Sequence, residues 1–176
     1  MPKVILVTGP SAAGKTTACE AFLNKVQGTW AYVGQDDVHG LIRAGYKSAN
    51  DMREQWDAET QAQWQTSIEV TCDLIKSFHA KNVNCIVDFF APPNEFSIWK
   101  ELLQPTDFEL VVIMPDLPTA LDRNNQKKGT AHLSEDKIIS CHKEFTTQAY
   151  SETYRLINTT GSDLNVVVDE LLETAV

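Results

Sequence analysis

The chain has 176 residues, with 15 Lys+Arg against 24 Asp+Glu, a formal charge of -9, 43% hydrophobic and 22% charged residues. That length holds one domain with a full core, residues 1–176, and is too short for two of ordinary size; no low-complexity stretch or linker interrupts it. The acidic balance repels polyanions, so nucleic acid is not an expected partner, and no apolar run approaches the roughly 18 residues of a membrane span.

The elements alternate strand and helix. "KVILV" (3–7) is a continuous apolar run, the pattern of a strand buried on both faces of a parallel sheet. It leads through "GPSAAGKTT" (9–17) into a helix predicted over 14–26, with Gly28 as its C′ residue. "WAYV" (30–33) is the second strand, followed by helices over about 37–46 and about 54–80. In the longer one Trp64, Ile68, Thr71/Cys72, Ile75 and Phe78 recur every three or four residues and read as a core-facing stripe. Trp56 stands outside the stripe and is the tryptophan expected to line a pocket. "VNCIVD" (83–88) and "FELVVIM" (108–114) are further buried strands, with a helix over 94–103 between them. Helices over 117–127, 134–150 and 162–174 and a weaker strand, "YRLIN" (154–158), complete the order, with Ser134 and Ser162–Asp163 as caps. Such βαβα alternation predicts an α/β protein: an open parallel sheet covered by helices on both faces. The four cysteines form no CxxC pair and fit buried thiols in a reducing cytoplasm, and no charged leader with a cleavage site is visible.

Gly9, Gly14, Lys15 and Thr16 match GxxxxGK[ST] between a predicted strand and a predicted helix. In that context the loop Gly9, Pro10, Ser11, Ala12, Ala13, Gly14 turns its N–H groups onto a phosphate, and the helix dipole adds positive potential. Lys15 is expected to bridge β- and γ-phosphates, Thr16 to offer its hydroxyl to Mg²⁺, and Thr17 to reach the α-phosphate. Asp88, at the end of its strand, is placed as the carboxylate that holds Mg²⁺ through water.

Asp36 and Asp37 follow the second strand, where an open α/β sheet faces its ligand crevice. Asp36 reads as the base that orients an acceptor hydroxyl and takes its proton, or as a cap of the helix beginning at Asp37. Asp37 and His39, three residues after Asp36, are candidate substrate contacts on the same segment. Arg43, one turn further, reads as a contact to an anionic group or as a solvated side chain. Phe89 and Phe90, in "FFAPP", form either a pocket wall or core. Arg123, Lys127 and Lys128 precede Gly129 in a segment, about 124–133, that reads as a closing lid or as a basic helix end; Arg123 is the residue expected to reach the γ-phosphoryl oxygens.

On these residues the chain resembles the small P-loop kinases related to gluconate kinase, shikimate kinase, chloramphenicol phosphotransferase and the nucleoside monophosphate kinases. The resemblance implies a three-layer αβα P-loop NTPase with strand order 2-3-1-4-5, ATP as donor with Mg²⁺, a lid, and "NTTG" (158–161), with Thr160, near the adenine. Asp36 followed three residues later by His39 is similar to gluconate kinase, where adenylate-kinase-type enzymes carry GDxxR; the DxD of shikimate kinase is absent, since position 34 is Gly. A phosphotransferase acting on a hydroxyl of a small molecule (a sugar acid, antibiotic or nucleoside) is the leading expectation. A nucleotide-hydrolysing switch, for which "NKVQ" (24–27) lacks the Asp of NKxD, and a polynucleotide 5′-hydroxyl kinase are the alternatives.

Overall fold

Every residue of Val4–Thr8 is buried, so this strand, β1, must lie inside the sheet with apolar side chains on both faces. The computed structural model, which describes residues 1–129 and 132–175, places it at the centre. The other strands are β2 (Trp30–Gly34), β3 (Asn84–Asp88), β4 (Glu109–Met114) and β5 (Tyr154–Asn158). All pair in parallel in the order β2-β3-β1-β4-β5, as the resemblance implies. The helices are α1 (Lys15–Leu23), α2 (Gln35–His39), α3 (Ala58–His79), α4 (Phe96–Leu103), α5 (Leu117–Gln126), α6 (Glu135–Thr146) and α7 (Leu164–Thr174).

Alternation along β1 divides the core in two. Val4 and Leu6 point to one face and join Ile68, Cys72 and Ile75 of α3, Trp99 of α4 and Phe145 of α6. Ile5 and Val7 point to the other and join Cys19 and Phe22 of α1 with Val167, Val168 and Leu171 of α7. Helices therefore cover both faces, giving three layers. Fully burying each such aliphatic side chain contributes roughly 1.5–3 kcal/mol, so the sheet centre carries a large share of the stabilisation of the fold. The α3 stripe packs on the core as its periodicity predicts from Ile68 to Phe78, whereas Trp64 is only partly buried against it and, like Trp56, lines a cavity; Asp57 caps the helix by accepting from the Thr60 N–H at 2.7 Å.

Several helix ends differ from expectation. The first helix stops at Leu23, so Gly28, at φ 91°, turns the chain into β2 rather than closing α1. The helix predicted over 37–46 is a single turn that starts at Gln35 and ends at His39; a long irregular segment with one 3-10 turn, Arg53–Gln55, then runs to α3. Asp163, not Ser162, caps α7. Thr130 and Ala131, within the predicted lid, lie outside the described residues. Among the described residues, no helix is long and apolar enough to cross a membrane, and all four cysteines are buried and free.

Candidate functional site

Between Thr8 and Lys15 the chain turns from strand to helix through a loop that only small residues permit. Gly9, at φ 153°, runs so close to β4 that a Cβ would collide with the Ile113 carbonyl. Gly14 takes a left-handed φ of 94° as the N-cap of α1, and no side chain caps that end. The first N–H groups of α1 thus lack intrahelical partners and supply donors at the loop. Lys15 arches back, its Nζ donating to the carbonyls of Gly9 (3.1 Å) and Pro10 (3.3 Å). Ser11 ties the loop to α6 by donating to Cys141 Sγ at 3.6 Å. N–H groups, a helix N-terminus and an ammonium around one concavity constitute a phosphate cradle.

Parallel register brings the acids to the same rim. Asp88 pairs with Val7 on one side and Gly34 on the other, so the end of β3 lies beside both the start of the loop and the start of α2. Its Oδ2 accepts from Thr16 Oγ1 and, at 3.4 Å, from the Tyr32 hydroxyl. Burial and the Asp88 carboxylate hold the Tyr32 phenol far above its usual range, so it stays a donor. Thr16 and Asp88 suit a hard cation that takes oxygen ligands. No group of three His, Cys, Asp or Glu that could hold a metal exists among the described residues. A Mg²⁺ here would draw its remaining ligands from phosphate and water.

Asp36 sits in the first turn of α2, whose N-cap is Gly34 with no side-chain bond. The capping alternative is therefore not the arrangement it adopts. Its carboxyl is raised above the ordinary 3.8, first by desolvation, with Lys15 and His39 opposing and Asp88 and Asp37 adding to the rise. Gln35 anchors this turn: wholly buried, its Oε1 accepts from the Phe90 N–H at 3.0 Å and its Nε2 donates to Ser67 Oγ at 3.3 Å. His39 is buried against Tyr46 and Trp64, with ring centroids 5.0 and 5.7 Å away. Burial pushes its imidazole below 6.5 against the pull of Asp36, which favours the neutral ring.

One cavity of about 840 Å³ joins these parts, running from Leu164 and Val167 of α7 past the loop to Trp56 and Trp64. Ser11 to Thr17, Asp36, Asp37, His39, Asp88, Phe89 and Arg123 all line it. Phe89 serves both readings, since it also packs on Trp99 at 4.4 Å. Arg43 does not line it: α2 ends before this residue, which is exposed on the irregular segment. Thr160 is turned away, its Oγ1 accepting from the Asp116 N–H at 2.7 Å, and Thr159 lines the cavity in its place.

Arg123 differs from the free reaching side chain expected. Its Nη1 donates to Ala13 O (2.8 Å) and Thr159 Oγ1 (3.1 Å), and its Nη2 to Thr159 O (2.8 Å), so it clamps the phosphate loop to the end of β5. The cation over the rim is instead Lys127, at the end of α5. Burial and Lys15 push its ammonium down, while Asp36 and Asp88 hold it up, which places it in the field of all three. Sequence reasoning put Lys127 only in the basic cluster. It gave no role at the site to Gln35, to Tyr32 of the strand "WAYV", or to Arg53 and Lys137, which also line the cavity.

The molecule is similar to solved kinase structures across nearly its whole length. A sugar kinase from Janibacter sp. HTCC2649 superposes with a TM-score of 0.67 at 12% identity, covering 99% of this chain and 95% of that one. Shikimate kinase from Acinetobacter baumannii in complex with shikimate gives 0.64 at 15%, covering 98% and 92%. At such identities the likeness establishes the three-layer P-loop fold. No curated protein matches in sequence. A family model does match, over residues 2–150, and with the phosphate cradle it makes this chain a member of the chloramphenicol phosphotransferase-like protein family, a P-loop phosphotransferase of small-molecule kinase type.

Proposed function

We propose that the protein transfers the γ-phosphoryl group of ATP, with Mg²⁺, to a hydroxyl of a small molecule bound at the Trp56–Trp64 end of the cavity. The observation that carries this reading is the juxtaposition of Lys15, Asp36, Asp88 and Lys127 on one cavity that extends beyond the phosphate loop to an aromatic end. A hydrolytic switch needs no such second compartment.

The residues divide the work. The loop N–H groups and Lys15 hold the donor phosphates, and the α7 end of the cavity, with Thr159, receives the base. Mg²⁺, held by Thr16 and Asp88, would neutralise phosphate charge and fix the donor's geometry. Asp36 accepts the proton of the acceptor hydroxyl; its raised affinity for a proton suits a base better than an ordinary surface carboxylate. Lys127 offsets the charge on the transferring group, while Arg123 keeps the loop in register with β5. Positioning and electrostatics thus supply most of the rate.

The test is ADP release from Mg·ATP with and without a panel of sugar acids, nucleosides and hydroxylated antibiotics, with the product weighed by mass spectrometry. One acceptor should stimulate turnover and gain a phosphoryl group, and Lys15→Ala should abolish both. A basal ATPase indifferent to every acceptor would defeat the reading.

A further inference from the structure

Two cations flank Trp56 in the acceptor half of the cavity, and only one is answered. Arg53, 5.4 Å from the Trp56 ring, pairs through both Nη atoms with Glu95 and through Nε with Glu144 at 3.7 Å. Lys137, 5.5 Å from the same ring, belongs to α6 and is only 7% exposed, yet it lines the cavity. Its Nζ donates to the Asp51 carbonyl at 2.7 Å, and no carboxylate among the described residues lies within ion-pair distance of it. Glu144 feels its charge but is committed to Arg53 and is itself pushed toward the neutral form by burial.

An ammonium carries three donors, and a buried charge is costly unless paired. One donor has a carbonyl, and the ring face of Trp56 meets the charge without an anion. The cavity side is where a counter-ion fits. We propose that the acceptor is a hydroxylated monocarboxylic acid, whose carboxylate Lys137 receives while its hydroxyl lies at Asp36. This rests on the kinase reading for the role of Asp36, but not for the anion site.

Charge also sets the direction of entry. With Lys15 and Lys127 answered by the donor phosphates, Asp36 and Asp37 at the transfer end repel an acceptor carboxylate, whereas Lys137 attracts it, so the molecule is turned hydroxyl-first. A single unanswered cation suits a monoanion. A phosphate dianion would call for a second, and Arg53 is already spent on Glu95 and Glu144. Tyr46, Trp56, Trp64 and Phe90 wall the space between, so the body of the acceptor presents an apolar or aromatic face.

The test uses N-benzoylserine, which carries a hydroxyl, a ring and a carboxylate, against its primary amide. Binding to the full chain is followed by tryptophan fluorescence in the presence of a non-hydrolysable ATP analogue. Wild type should bind the acid at least about tenfold more tightly than the amide, the scale of one hydrogen bond to a charged group. Lys137→Gln should erase the preference, and Lys137→Arg should keep it, with both variants checked for an unchanged melting transition. Equal affinity of acid and amide in wild type, no binding of either, or a preference that survives in Lys137→Gln overturns the proposal. Wild type alone decides the first two, whatever the variants do. Transfer from Mg·ATP is read separately. A Lys137-dependent acid preference without transfer to any acceptor would sink the kinase reading and keep the site; transfer to neutral acceptors with no acid preference would do the reverse.

Discussion

Replacing Arg123 by Met separates a clamp from a catalytic finger. The guanidinium makes three hydrogen bonds, to Ala13 O, Thr159 Oγ1 and Thr159 O, and Ala13 and Thr159 are 1% and 4% exposed. Met fills much of the volume but leaves those acceptors without a charged donor. A hydrogen bond to a charged group contributes about 1.5–3 kcal/mol, and Arg123 is half-buried, so non-additive loss of the cluster comes to about 2–4 kcal/mol. For a chain of this size each kcal/mol moves Tm by roughly 2–4 °C, giving a fall of about 5–15 °C. The assay is thermal unfolding by circular dichroism without nucleotide, with Arg123→Lys alongside; Lys keeps the charge but not the two-nitrogen fork, and should recover only part of the loss. ATP affinity should fall as well, because Ala13 belongs to the cradle. An unchanged Tm together with a collapsed kcat would refute this reasoning and return Arg123 to the role of a group that reaches the transferring phosphoryl.

Three further outcomes follow from the same geometry. Asp36→Asn should stop transfer while leaving ATP binding within about twofold, since the loop contacts are untouched. A carboxyl raised in the folded state contributes stability only while protonated, lost as pH rises from the ordinary 3.8 through the folded value; Asp36 is exposed to the open cavity, so solvent screens this contribution and Asn should leave Tm at pH 7 nearly unchanged, with any shift upward. Because the carboxyl is raised, the acid limb of the wild-type rate should lie above 3.8, and a limb at or below it would remove Asp36 as the base. Lys127→Met should lower kcat by about 10²–10³ with little change in the ATP KM, the scale for a group that acts on developing charge; a pure KM effect in steady-state assays would make it a binding residue only. Gly9→Ala places a Cβ against the Ile113 carbonyl, a backbone group with no flexible side chain to yield. Loss of folded protein on expression, or a fall of at least about 3 kcal/mol in urea denaturation, is expected.

How far this molecule can be read from its sequence depends on the range of the interactions involved. The phosphate cradle depends on spacing within one strand, turn and helix, so "GPSAAGKTT" declares it. Asp36 and Asp88 are nearly as legible: each stands at or just past the end of an apolar run, and parallel register then carries both to one rim. The strand order follows from the alternation together with the family resemblance. Arg123 was placed on the right helix, but its direction depends on Thr159 at the far side of the sheet, a contact between residues 36 apart. The acceptor end is the extreme case. Arg53 meets Glu95 and Glu144, and Lys137 meets Asp51, 86 residues away, all through a segment from 40 to 57 that has neither period nor motif. That segment did carry one signal, which the prediction of helix over 37–46 and 54–80 obscured. An irregular stretch longer than about 12–15 residues in a small domain is uncommon unless it does something. Asp57, three residues before Thr60, marks as a cap where it must end. On the proposed reading, 40–57 is the segment that meets the acceptor: regular elements on both sides carry the phosphate loop and the strand-end acids, and the part free of periodic constraint brings Tyr46, Arg53 and Trp56 to the aromatic end of the cavity.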